Sequence, residues 1–224
     1  MFIGHFGVGL AAKKAAPKAS LGTLFLASQF IDLRWPFFLI FGIEKVKIDP
    51  GNTAFTPFDF VHYPYSHSLI AVLIWALIFG AIYFLIKKDL KTSIWLGVLV
   101  FSHWILDFVT HRPDLPLFIG SNSPLVGLGI WNSVIATIII EGGIFFLGVY
   151  LFTKITKAKN KTGFYSFWSL IIFLILIYIM NLLGPPPGSV DAIGYVGLSQ
   201  WLIIFWGYWI GKNRIEGENS LNFN

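Results

Sequence analysis

At 224 residues, with 56% hydrophobic and 12% charged side chains and a mean hydropathy of +0.73, the chain lies outside the composition of soluble domains, which carry about 25% charged residues. It has no cysteine, which excludes a disulfide framework and any thiolate metal site. The net charge of +5 lies beside apolar runs, so membrane lipids are the expected partners and no nucleic acid is expected.

The apolar runs approach the roughly 20 residues that cross a bilayer. The expected fold is an all-α, polytopic transmembrane helix bundle of six to seven spans, in one domain over residues 1–224. Residues 2–18 are short and Gly/Ala-rich, and their lysines follow the apolar run, unlike those of a secretory signal. This segment is expected to be retained, either as a span or lying in the interface. Residues 20–43 are interrupted by Asp32, Arg34 and Pro36, and a kink is expected near Pro36. Further spans are expected at about 67–86, 92–110, 130–153, 164–183 and 191–211, with GPPPG at 184–188 as a rigid break.

Lysine and arginine sort among the connections. Lys13, Lys14, Lys18, Lys87, Lys88, Lys91, Lys154, Lys157, Lys159, Lys161, Lys212 and Arg214 make 12 on one side, against 3 on the other, Lys45, Lys47 and Arg112. The positive-inside rule places the first set and the C-terminus in the cytoplasm, and a prokaryotic cytoplasmic (inner) membrane fits that bias.

The stretch FSHWILDFVTHRPD, residues 101–114, sets His103, Asp107 and His111 four residues apart in an otherwise apolar segment. On a helix the three fall within an arc of about 80° and line a stripe about 12 Å long. By the same count Asp32, His67 and His5 reach the outer half of the membrane on three other segments. Isolated there, each group costs several kcal/mol, so they are expected to face one another. Imidazole and carboxylate suit a divalent ion, zinc or manganese foremost, and i, i+4 spacing lets two side chains share one ion. The candidate metal ligands are therefore His5, Asp32, His67, His103, Asp107 and His111. The alternative for the row is a buried polar network joining helices.

Each remaining residue has a plain reading beside the functional one. His5 can be interfacial, His62 sits in an aromatic loop and is not expected to ligate, and His67 can start a helix with Ser66 as its N-cap. Glu141 can pair with a histidine or a backbone group, or serve a proton path. Trp131 and Asn132 can anchor and cap a span. Arg34 and Arg112 can bind an anionic substrate or snorkel, and Arg112–Asp114 can be an ordered outer loop.

The stretches GHFGVGLAAK (4–13), FIDLRWP (30–36), YSHSLIA (65–71) and SHWILDFVTHRPDLP (102–116) resemble the YdjM-like membrane-bound proteins, described as metal-dependent hydrolases. That family's pattern is an early Gly-His, then Pro-Asp-x-Asp, Thr-His-Ser and Ser-His-x3-Asp. The resemblance covers about residues 1–120, and residues 121–224 add membrane helices only. It implies His5, Asp32, His67, His103 and Asp107 as site residues. Two departures stand out: Gln29–Asp32 lacks the first Asp of its motif, and Ser66 stands in place of Thr. His111 is our candidate for the missing ligand.

Three functions follow. The first is a membrane-embedded metal-dependent hydrolase acting on a lipid or lipid-linked phosphoester, with Asp107 or Asp32 as the catalytic carboxylate and Arg34 or Arg112 binding the phosphate. The second is a proton- or metal-ion-coupled transporter, with Glu141 continuing the path inward. The third is a noncatalytic membrane scaffold.

Overall fold

The computed structural model describes residues 1–120 and 122–217. Its helices are α1 (Ile3–Ala11), α2 (Leu21–Ser28), α3 (Phe30–Ile40), α4 (Pro64–His67), α5 (Leu69–Lys87), α6 (Leu90–Thr110), α7 (Val134–Ile155), α8 (Lys161–Leu183), α9 (Val190–Leu198) and α10 (Gln200–Lys212). Three short antiparallel ribbons sit in the connections: β1 (Lys45–Ile48) with β2 (Phe58–His62), β3 (Leu115–Pro116) with β4 (Leu125–Val126), and β5 (Thr156–Ala158) with β6 (Arg214–Glu216). The expected all-α bundle is present.

The span count is lower than the upper expectation. Among the described residues, five stretches are long and apolar enough to cross a membrane: α5, α6, α7, α8 and the continuous Val190–Lys212 formed by α9 and α10. The pair α2–α3, bent by 55°, makes a sixth if counted as one broken span. Segment 2–18 does not add a seventh. Its helix has nine residues, about 14 Å of rise against a hydrocarbon core of about 30 Å. The surface supports an integral membrane protein. Leu77, Ile82, Leu85 and Ile86 on α5, and Ile135, Ile139 and Phe146 on α7, are all exposed. Lipid covers apolar helix surface of this extent at no cost.

Polar side chains set the helix starts. Ser20, Ser68, Asp89, Ser133, Asn160 and Ser189 each accept a backbone N–H at the N-terminus of a helix. Ser68, not Ser66, caps the third apolar run, because the single turn α4 precedes it. The bend also falls elsewhere than expected. It lies at Gln29, between α2 and α3, while Pro36 stays inside α3. Pro36 instead packs on α9, where a Cβ at Gly197 would stand 2.5 Å from its Cγ.

Helix α1 is short because it is an internal wedge. Ile3 to Gly7, Gly9 and Leu10 are all buried, and the helix lies mainly against α7 and α2. The backbones touch through glycines. A Cβ at Gly7 would stand 2.6 Å from the Phe145 Cα, and one at Gly148 would run into the Gly7 carbonyl. The Gly-rich composition is thus a close-packing device. Glu141 on α7 completes the dock, its Oε2 accepting the Phe2 N–H at 2.9 Å just before the helix begins. Of the roles open to Glu141, the structure places it on a backbone group.

The basic connections gather at one end. Lys13 lies 3.4 Å from Glu216, Lys18 lies 3.1 Å from Asp89, and Lys159 donates to the Lys212 carbonyl at 3.0 Å. At the other end Arg112 joins Asp59, and the Phe55 N–H donates to the Trp131 carbonyl at 3.0 Å. The expected cytoplasmic C-terminus itself lies beyond Gly217, outside the described residues; the last described strand, β6, is at the basic end. The α1–α7 contact is testable by bulk. Gly148→Leu is expected to lower the stability of detergent-purified protein by about 1–3 kcal/mol through overpacking, read as a fall in melting temperature. Gly142→Ala, whose Cβ meets nothing within 4 Å, is expected to melt as wild type.

Candidate metal centre

Four segments deliver five of the expected ligands to one place. His5 comes from α1, Asp32 from the first turn of α3, His67 from α4, and His103 with Asp107 from successive turns of α6. His5 Nε2 lies 3.0 Å from Asp107 Oδ1, and His103 Nε2 lies 3.1 Å from Asp107 Oδ2 and 3.5 Å from Asp32 Oδ1. His67 Nε2 lies 3.4 Å from Asp32 Oδ1 and 3.9 Å from Asp107 Oδ2. The His5 and His103 rings stack at 3.7 Å with planes 3° apart. Two overlapping triads result, His5–His103–Asp107 and Asp32–His67–His103, each with its ligand atoms within 4.8 Å of one another. Atoms around one ion at about 2.1 Å are separated by comparable distances.

The outer ring nitrogens explain the orientation. His103 Nδ1 lies 2.9 Å from the Ser28 carbonyl, at the α2–α3 break. A carbonyl only accepts, so Nδ1 carries the hydrogen and neutral His103 presents an Nε2 lone pair to the cluster. Nε2 itself has no hydrogen-bond partner. His67 is held the same way. Its Nδ1 lies 2.6 Å from Ser66 Oγ, which donates its own hydrogen to Glu44 Oε2 at 2.5 Å. Glu44 is fixed in turn, its Oε1 accepting the Tyr65 and Ser66 N–H groups at 2.8 Å each. Imidazoles that ligate metals are typically anchored through the other nitrogen in this manner.

The electrostatics demand a cation. Two carboxylates at membrane depth are costly unless neutralised, and imidazole lone pairs aimed at them repel. Positive charge has to stand between them, as protons on the rings or as a metal ion. The Met1 amino group supplies one such charge, 2.7 Å from Asp107 Oδ1. The donor set, two carboxylates and three imidazoles with Nε2 inward, fits a divalent ion.

His111 is not part of the cluster. Helix α6 ends at Thr110 and His111 is its extended C-cap, so the row of three breaks before its last member. Pro113 accounts for this, since the residue before a proline disfavours helix. His111 Nδ1 instead donates to Asp114 Oδ1 at 2.9 Å, joined there by the Tyr63 hydroxyl at 3.0 Å. Trp131 and Phe60 cover its ring at 4.2 and 4.8 Å. Burial lowers the His111 pKa, and burial followed by the Asp114 charge raises that of Tyr63. Both are neutral members of a structural network in the connections after β2 and α6.

The arginines are placed apart as well. Arg112 is engaged by Asp59 at 2.5 Å and Asp114 at 3.2 Å, the ordered loop of its plain reading. Arg34 lies on the Trp75 ring. Phe30, the residue at the absent first Asp, packs on Trp75 and Phe79 with ring centroids 6.2 and 5.1 Å apart, so an aromatic contact stands where the motif has a carboxylate. His62, at the end of β2, rests on Tyr65. Sequence reasoning missed Ser28, Glu44 and the linking role of Ser66. Ser66 adjoins His67, but Glu44 lies 22 residues before Ser66 and no spacing pattern ties them.

Comparison with known proteins gives no match to a family model, to a curated protein or to a solved structure. Ser66→Ala removes an anchor without removing a ligand, and is expected to weaken divalent-ion affinity about 10–100-fold in titrations of chelated protein. His111→Ala is expected to leave that affinity unchanged.

Proposed function

We propose that the chain is a membrane-embedded metal-dependent hydrolase acting on a lipid or lipid-linked phosphoester. The observation that carries this reading is the inward Nε2 of His67 and His103, each enforced by an oxygen on Nδ1, facing two carboxylates. His5, Asp32, His67, His103 and Asp107 would hold the ion, zinc or manganese by the character of the donors. When bound, it supplies Lewis-acid chemistry, polarising a phosphoryl or acyl oxygen and making water a nucleophile at neutral pH.

The protein's own groups divide the remaining work. Asp107 is 2% exposed and fixes His5 and His103. Asp32 keeps 23% of its side chain open, so it is the carboxylate a substrate reaches and the one suited to take a proton from water. The cluster lies in the half of α6 toward the outer loops, at lipid depth, which favours a membrane-borne ester. The motifs resembling the YdjM-like proteins support the same chemistry. Engagement of Glu141 by the α1 backbone weighs against an inward ion path through it.

Liposome-reconstituted protein supplied with zinc or manganese is expected to release the headgroup product from phosphoester lipids. His103→Ala and Asp32→Asn are expected to lose about 100-fold or more of that turnover. Ion flux across the vesicles without bond cleavage would contradict the proposal and favour the transporter.

A further inference from the structure

A second candidate site lies on the other flank of α3. Two residues apart on one helix, Asp32 and Arg34 leave the axis about 160° apart, and Arg34 turns away from the metal centre. Its guanidinium carbon stands 3.3 Å from the centroid of Trp75, with Phe30 and Phe38 at 5.3 and 5.2 Å. Nη1 and Nη2 are buried and have no hydrogen-bond partner. Arginine stays charged, offers five donors and accepts nothing. Aromatic faces attract the charge, yet they leave those donors unmet. Glu44, the acid whose charge acts on Arg34, is engaged by Tyr65 and Ser66.

Beside this cation is an apolar cleft of about 300 Å³, lined by Phe38, Ile43, Tyr65, Ile74, Trp75 and Ile119. Phe38 and Trp75 are also the rings that hold Arg34. Ile43, Ile74 and Ile119 are 44%, 44% and 45% exposed, so the cleft opens toward lipid. An oily groove that shares two walls, Phe38 and Trp75, with a cation whose Nη1 and Nη2 are unpartnered is complementary to an amphiphile with an anionic head. We propose that this cleft binds a lipid phosphate, the phosphate on Arg34 and an acyl chain along Ile43, Ile74 and Ile119. This site does not depend on the hydrolase reading, and either can fail alone.

The test is binding of short-chain phosphatidic acid to the detergent-purified full chain, by native mass spectrometry. Diacylglycerol of the same chain length and inorganic phosphate are the controls. Wild type is expected to prefer phosphatidic acid over both. Arg34→Gln is expected to weaken its binding about tenfold, the worth of one charge-assisted hydrogen bond. Ile74→Trp, which fills the cleft from the lipid side and leaves Arg34 in place, is expected to weaken it too and carries the test if Arg34→Gln does not fold. Chelated wild type is expected to bind the lipid as the metal-loaded protein does, separating this site from the metal centre. Equal binding of diacylglycerol, equal binding of inorganic phosphate, or undiminished binding by Ile74→Trp would overturn the proposal.

Discussion

The structure turns on a carboxylate buried at membrane depth. Asp107 is 2% exposed on an apolar helix, and it is surrounded by His5, His67, His103 and the Met1 amino group. A bare carboxylate there is disfavoured by several kcal/mol. The Met1 amino group supplies a positive charge, and the imidazoles reach Asp107 from α1, α4 and α6 itself. The need to neutralise Asp107 and its partner Asp32 is what brings α1, α3, α4 and α6 to one point.

Several features of the fold follow from that meeting. A helix of nine residues does not cross a bilayer, yet α1 is buried on nearly every side. It reaches Asp107 because Gly7 and Gly148 let it lie directly on the α7 backbone, and because Glu141 takes up a donor at its start. The break at Gln29 serves the same end. It divides one apolar run in two, offers the Ser28 carbonyl to His103, and puts Asp32 in the first turn of α3. The electropositive end of that helix favours a carboxylate there. Glu44 and Ser66 then set the ring of His67 from outside the membrane-level core. The rings of His67 and His103 are thus held from behind by oxygens.

Much of this was legible in the residues. Apolar runs located the long helices, and lysine bias identified the connections that gather at one end. The i, i+4 pairing of His103 and Asp107 survives because both lie well inside α6. His111 fails by the same rule, since Pro113 ends the helix before the row is complete. The kink was assigned to Pro36 on local chemistry, whereas the bend at Gln29 is tied to contacts with α6 that no local pattern encodes. A Gly-rich N-terminal segment looks like a weak span until its close contact with α7 is seen. Glu44 is hidden for a related reason: its role depends on the connection after α3 folding back over α4. Local period and composition are readable from one sequence, and long-range polar contacts are not.

The account depends on the cluster holding a metal ion, and the most direct measurement is the metal content of purified protein. Wild type and His103→Ala would be chelated, offered zinc or manganese, desalted and analysed, with circular dichroism to confirm the helices. The account predicts about one divalent ion retained per wild-type chain, and loss of that ion in the variant with its helical content intact. Failure of wild type to rebind either metal, or equal retention by His103→Ala, would contradict it and leave the polar cluster as a packing device.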